Sequence, residues 1–133
     1  MRSEESRSRR RGLDRERDLA RRLWEMGFAS MRAPASGAKA KHFVQPDVIA
    51  VKDGAVFVFE VKSRSELPLY VESEQVEKLS EWAARARARA FIAVHYSRSW
   101  HFVPLDGIER VGHTYRVDED DVAHALRLED LRP

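Results

Sequence analysis

Two β-rich runs separated by Asp53-Gly54 constrain this chain more than any other feature. The runs are Pro46 to Val51 and Ala55 to Lys62, rich in Val, Ile and Phe. Asp-Gly between such runs is the strongest short signal for a two-residue hairpin loop, because both loop positions need a positive φ. With Asp53 and Gly54 as that loop, positions whose numbers sum to 107 face one another, and Asp47 lies directly across from Glu60. Side chains alternate along a strand, so Lys62 shares the face of Glu60. Like charges directly across a ladder are destabilising, and a bridging metal cation removes that penalty.

The hairpin is apolar on both faces, with Ile49, Val51, Val56 and Val58 on one and Val48, Ala50, Phe57 and Phe59 on the other. Strands buried on both faces are central in a sheet. Ahead of them, the spacing of Leu13, Ala20, Leu23 and Gly27 predicts a helix from about Gly12 to Met26, with Gly27 in the C′ position. Phe28 to Arg32 reads as a short strand, and 33–45 as a loop carrying Lys39 and Lys41. After the hairpin, 63–70 reads as a polar loop and Ser73 to Ala88 as a helix with Ser73 as its N-cap. Strands follow at 90–96, 100–104 and 114–117, then the acidic stretch 118–121 and a short C-terminal helix. The link from strand 55–62 through helix 73–88 to strand 90–96 is expected to be a parallel crossover. The predicted class is α/β, a mixed central β-sheet flanked by helices.

Length fits one domain. The division expected is a flexible basic arm over 1–11 and a single domain over 12–133. Charge is uneven: residues 1–45 hold 12 Lys and Arg against 6 Asp and Glu, and residues 46–133 hold 12 against 16. The basic first third, with Arg10 and Arg11, suggests a phosphate-binding surface, where a solvated tail is the plainer alternative. Cysteine is absent, which excludes thiolate metal sites and disulfide scaffolds. No apolar run is long enough for a membrane helix and no leader pattern stands at the N-terminus, so a cytoplasmic, nucleoid-associated location and no membrane partner are expected.

Two carboxylates and an ammonium at one open sheet end are a set suited to Mg²⁺, which takes one or two protein carboxylates plus waters and substrate phosphate. Mn²⁺ is expected to substitute. Such an ion stabilises a pentavalent phosphate and lowers the pKa of an attacking water. Lys62 is placed either to orient that water or to offset the developing charge. The plain structural alternative is a Glu60–Lys62 salt bridge on an exposed strand. Glu16 falls on the apolar stripe of the first helix, where a carboxylate is unusual. By itself it reads as a stripe-edge residue reaching water or pairing with arginines; beside Asp47 and Glu60 it reads as a third acidic ligand or an orienting group. The five histidines show no metal spacing. Trp24, Trp82 and Trp100 read as core or subunit interface, and Arg85, Arg87 and Arg89 as a solvated helix end or contacts to outer phosphates.

Pro46-Asp47 followed by Glu60-Val61-Lys62 resembles the PD-(D/E)xK motif of restriction-endonuclease-like nucleases. Glu16 to Ala20, Gly27-Phe28, Arg32 followed by Ser36-Gly37, Glu60 to Arg64, Leu69 to Val71, Gln75 to Leu79 and Trp100 to Leu105 together resemble the archaeal Holliday junction resolvases, over about residues 12–105. The resemblance implies a homodimer that resolves four-way DNA junctions by paired, Mg²⁺-dependent nicks in recombination and repair. It implies Glu16, Asp47 and Glu60 as acidic metal ligands and Lys62 as the catalytic lysine. Ser36 and Arg17 match positions tied to activity or DNA handling, and Arg32, Lys39, Lys41 and Arg64 are expected on the DNA beside Arg10 and Arg11. Loop 33–45 is longer than the shortest family versions. A sliding clamp enters as a further partner without support, since only a small element follows the last strand. The competing expectations are another nuclease of the same fold acting on duplex, flap or damaged DNA, and a non-catalytic DNA-binding module.

Overall fold

The computed structural model describes residues 4–34 and 45–133, so Ser36, Lys39, Lys41 and most of the loop that carries them lie outside the described residues. The first helix, α1, spans Glu4–Glu25, eight residues more at its N-terminus than the apolar stripe predicts. Residues 4–11 contain no Pro or Gly and are half Arg, a good helix former, and one interior glycine at Gly12 costs only about 1 kcal/mol. The stripe buried by α1 is centred on Leu19 and Leu23. The helix ends in a Schellman motif: the Phe28 N–H donates to the Leu23 carbonyl at 3.0 Å and the Gly27 N–H to that of Trp24 at 2.9 Å. Gly27 takes φ 95° to allow it.

The main sheet holds strands β1 (Ala29–Arg32), β2 (Val48–Lys52), β3 (Ala55–Ser63), β5 (Arg89–Tyr96) and β6 (Ser99–Pro104) in the order β1-β2-β3-β5-β6. All neighbours are antiparallel except β3 and β5, which are parallel and joined through helix α2 (Ser73–Ala86). The hairpin register is the one the Asp-Gly turn dictates, with Ile49 facing Val58 and Val51 facing Val56. Asp53 and Gly54 both have positive φ, 50° and 80°, as a type I′ turn requires.

Both sheet faces are covered. Val48, Ala50, Phe57 and Phe59 pack with Leu19 and Leu23 of α1, and Val58 packs with Leu79 and Ala83 of α2. The α1 side is aromatic: Phe59 lies 6.0 Å from Phe91 and 5.5 Å from Phe102 between ring centres. Arg89 is no solvated helix end. It opens β5 with its guanidinium over the Phe57 and Phe91 rings at 5.4 and 5.3 Å.

A second, three-stranded sheet, β4-β8-β7, is absent from the sequence reading except for β8 (Thr114–Val117). β4 (Leu69–Glu72) lies partly inside the expected loop 63–70, and β7 is Glu109–Val111. Each is too short for its alternation to stand out, and β4 finds its partner far away in sequence, Leu69 against Val117. This pairing also moves the start of α2: the Ser73 N–H donates to the His113 carbonyl at 2.8 Å, and Glu72 rather than Ser73 occupies the N-cap. The acidic stretch becomes helix α3 (Glu119–Ala123), capped by reciprocal 2.9 Å bonds between Asp118 and Asp121.

Phe59→Ala, which opens a cavity inside the ring stack, is expected to cost about 3–5 kcal/mol in urea unfolding; a loss under about 1 kcal/mol would show that the stack does not hold the sheet on α1.

Candidate active site

The ladder between β2 and β3 stops one residue short of Asp47. The Asp47 N–H donates to the Phe59 carbonyl and its own carbonyl accepts from Ala33, both at 2.9 Å. The next ladder position is filled by a side chain: Asp47 Oδ2 accepts the Val61 N–H at 2.8 Å. Asp47 therefore sits at the end of β2 beside β3, tied through its backbone N–H to Phe59 and through its carboxylate to Val61, and the direct ladder pair with Glu60 that the register predicts is not part of the sheet.

Glu60 and Lys62 extend from β3 on the Val58 face, with Glu60 Oε2 and Lys62 Nζ 3.9 Å apart. Their side chains are only 14 and 18 % exposed, so the pair is not the surface salt bridge of the plain reading. Burial, the neighbouring Asp47 charge and a hydrogen bond to Asp47 raise the Glu60 carboxyl to about 8, against a smaller opposing pull from Lys62. Glu16 comes from α1 on the other face of the sheet. Burial and the Asp47 charge raise it to about 7, although Arg32 lies 3.7 Å away and lowers it, as does Arg17. Two carboxyls pushed towards their neutral forms around a third mark a site short of positive charge.

The donor set is therefore one of hard carboxylate oxygens, suited to a divalent cation. Among the described residues no three acidic or histidine side chains are gathered into a ready-made metal cage, and Mg²⁺-type sites commonly complete their shell with water and substrate phosphate. Asp47, Glu60 and Glu16 could hold such an ion, and Lys62 adjoins them.

The arginines divide. Arg32 is drawn in beside Glu16, and its buried Nη1 has no hydrogen-bond partner. Arg17 turns outward to Asp14 at 3.7 Å. Arg64 is exposed and bonds the Ser63 carbonyl at 2.9 Å; Arg10 and Arg11 are exposed on α1. Two positioning contacts escape the sequence reading. Asp18 Oδ2 accepts the Trp100 indole N–H at 3.0 Å, and Arg15 Nε donates to Ser63 Oγ at 3.3 Å. They tie α1 to β6 and β3 on either side of Glu16. Burial works to raise the Asp18 carboxyl, yet the Trp100 N–H with Arg22 and Arg21 holds it below the usual range. Arg15 and Asp18 flank the Leu19–Leu23 stripe on the edge away from Glu16, and their partners, 48 and 82 residues away, carry no local signal.

A family model described as archaeal Holliday junction resolvase (Hjc) matches residues 7–132. A crossover junction endodeoxyribonuclease Hjc from Sulfurisphaera tokodaii is 40% identical over 123 residues, covering 91% of this chain and 85% of that protein. The protein of the same name from Archaeoglobus fulgidus is 37% identical over 122 residues, covering 91% and 88%. The crystal structure of Archaeoglobus fulgidus Hjc, a Holliday junction resolvase from an archaeal hyperthermophile, superposes with a TM-score of 0.79 at 34% identity, over 89% of this chain and 92% of that one.

Carboxyls with raised folded-state pKa values bind protons that the unfolded chain has already released, so stability falls as pH climbs from about 4.5 through about 7 and about 8. In EDTA the melting temperature is expected to drop across that window, and Glu60→Gln to flatten the drop. A profile that rises over the same range would contradict the crowded-carboxylate site.

Proposed function

The chain belongs to the archaeal Holliday junction resolvase family, and we propose that Glu16, Asp47, Glu60 and Lys62 form the site with which it cuts four-way DNA junctions by hydrolysing phosphodiester bonds. The observation that carries this reading is the meeting of Asp47 and Glu60 where the β2–β3 ladder opens, with Lys62 3.9 Å from Glu60 and Glu16 close enough to feel the Asp47 charge. The family implies a divalent metal, and the oxygen-only donor set favours Mg²⁺, with Mn²⁺ as a substitute. When bound, the cation polarises the scissile phosphate and lowers the pKa of the attacking water.

The chain's own groups supply the rest. Asp47 and Glu60 would hold the cation through their carboxylate oxygens, Glu60 in its deprotonated form. Glu16 completes the acidic set from α1. Lys62 offsets the negative charge that grows on the phosphate as water adds and one P–O bond breaks. Arg32 steadies Glu16, and Arg17, Arg64, Arg10 and Arg11 meet neighbouring phosphates. Ser36, Lys39 and Lys41 are assigned by resemblance to the same DNA surface.

The active species is a homodimer, since an isologous pair presents two equivalent sites to a four-way substrate. Trp24 and Met31, left 65 and 55 % exposed on α1 and β1, supply apolar surface for such an interface. Residues 12–133 are the nuclease unit and the basic start of α1 is its DNA-binding arm. No helix among the described residues is long and apolar enough to cross a membrane, and a cytoplasmic, nucleoid-associated location suits an enzyme acting on chromosomal DNA.

A labelled fixed junction beside a linear duplex of the same arms, with Mg²⁺ and with EDTA, tests the reading by gel. The expected result is paired, symmetric nicks in the junction alone, lost with EDTA. Equal cleavage of the duplex would make the protein a general nuclease. Asp47→Asn and Glu60→Gln are expected to reduce cleavage by at least about 10²-fold. Junction affinity should be nearly unchanged in Glu60→Gln, because phosphate contacts supply it; lost binding would refute that division of labour.

A further inference from the structure

Directly beyond Lys62, the end of β3 forms one wall of a cleft of about 640 Å³. Arg11 and Arg15 of α1 form a second wall, and His95 and Arg98, at the turn between β5 and β6, a third. The cleft contains Arg64 as well, with serine hydroxyls between the arginines and no carboxylate among the described lining residues. A smaller cleft adjoins it across His95 and Arg98 and brings in Arg127, one carboxylate, Glu129, and Arg22, which is paired with Asp18 at 2.9 Å. Basic side chains thus continue from the reactive end of β3 around the β5–β6 turn. On the α2 side of the molecule the exposed charges are instead matched in pairs, Glu74 with Lys78, Glu77 with Arg110, Glu81 with Arg85 and Glu109 with Arg116.

The geometry favours a string of phosphates over one small anion. The Ser63 bond uses only Nε of Arg15, one of five donors on a guanidinium fork that matches phosphate oxygens. Burial and the nearby Arg15 charge hold the His95 imidazole below its usual range. Ser97 and Arg98 have φ of 52° and 63°. These left-handed turn positions aim the loop where a β-strand could not. Successive charges of one DNA strand lie about 3.4 Å apart along the helix axis, so a strand crossing Lys62 carries its next phosphates past Ser63 and Arg64.

We infer that this cleft is a second phosphate-binding site, in which Arg15, Arg64 and Arg98 hold backbone phosphates of the strand next to the scissile one and direct that junction arm towards Arg127. The inference rests on the reading of the chain as a junction endonuclease and adds Arg15, His95 and Arg98 to its DNA surface. It assigns Arg98 an affinity role separate from chemistry.

Fluorescence anisotropy of the full chain on a fixed four-way junction, across a salt series in EDTA, tests it. Arg98→Asn is the informative variant, because asparagine tolerates the left-handed backbone. Its Kd is expected to rise at least about 5-fold, and the slope of log K against log salt to shrink by about 1. Arg98→Lys should recover most of the affinity, and Arg98→Glu should lose more. Arg85→Ala, on α2 and paired with Glu81 at 3.6 Å, should bind like wild type. If Arg98→Asn lowers the melting temperature, Arg64→Gln on the opposite wall replaces it. Unchanged Kd and slope in these variants, or an equal loss in Arg85→Ala, would overturn the inference. Wild-type cleavage of the same junction in Mg²⁺ is scored alongside: its failure would refute the endonuclease reading and leave the binding result to judge the cleft.

Discussion

One hydrogen bond shapes the open end of the β2–β3 hairpin. A hairpin left to itself would continue its ladder until one strand ran out, pairing Asp47 with Glu60 through backbone groups. Instead the Asp47 carboxylate takes the Val61 N–H at 2.8 Å, in the place where a main-chain carbonyl would serve. A buried N–H must have an acceptor, so the substitution satisfies β3 while the Asp47 backbone keeps its bonds to Phe59 and Ala33. It also fixes one Asp47 oxygen and brings the carboxylate against Glu60. The electrostatic crowding that follows, with Glu60 raised to about 8 and Glu16 to about 7, comes from that placement and from burial.

Glu16 depends on a different constraint. It belongs to α1, on the sheet face opposite Glu60, so its distance from the site is set by how that helix lies across the strands. Leu19 and Leu23 press the helix onto the Phe57, Phe59 and Phe91 rings, but apolar packing alone tolerates sliding. The Asp18–Trp100 and Arg15–Ser63 bonds are directional and fix the remaining freedom. Both flank Glu16 within two residues. The aromatic layer, capped by Arg89, is thus the floor on which Glu16 rests, and damage to it would displace that carboxyl without touching a charged residue.

Much of this was legible beforehand. The hairpin register, the burial of both its faces, the parallel crossover through α2 and the unusual carboxylate on the α1 stripe all follow from local patterns, because turn chemistry and side-chain period act within a few residues. The missed elements share a cause. β4 and β7 have four and three residues and exist through pairing with β8, which local propensity does not encode. The basic cleft was missed likewise: Arg15, Arg64 and Arg98 are unremarkable singly, and only folding brings helix, strand end and turn together. The helix start at Glu4 leaves no mark in apolar periodicity, because the first turns of α1 are rich in arginine and carry no apolar stripe.

The sequence by itself determined that Asp47, Glu60 and Lys62 would share one end of one hairpin, since a two-residue Asp-Gly loop admits a single register and a strand a single alternation. Tertiary structure decided what that juxtaposition is worth chemically. Burial between the sheet and its covering elements raises the carboxyls, α1 supplies Glu16 from the opposite face, and Lys62 is left with little exposed surface. These depend on dielectric and distance, which are properties of the packed molecule: a charge is cheap or costly only according to what surrounds it, and no local stretch of chain specifies its surroundings.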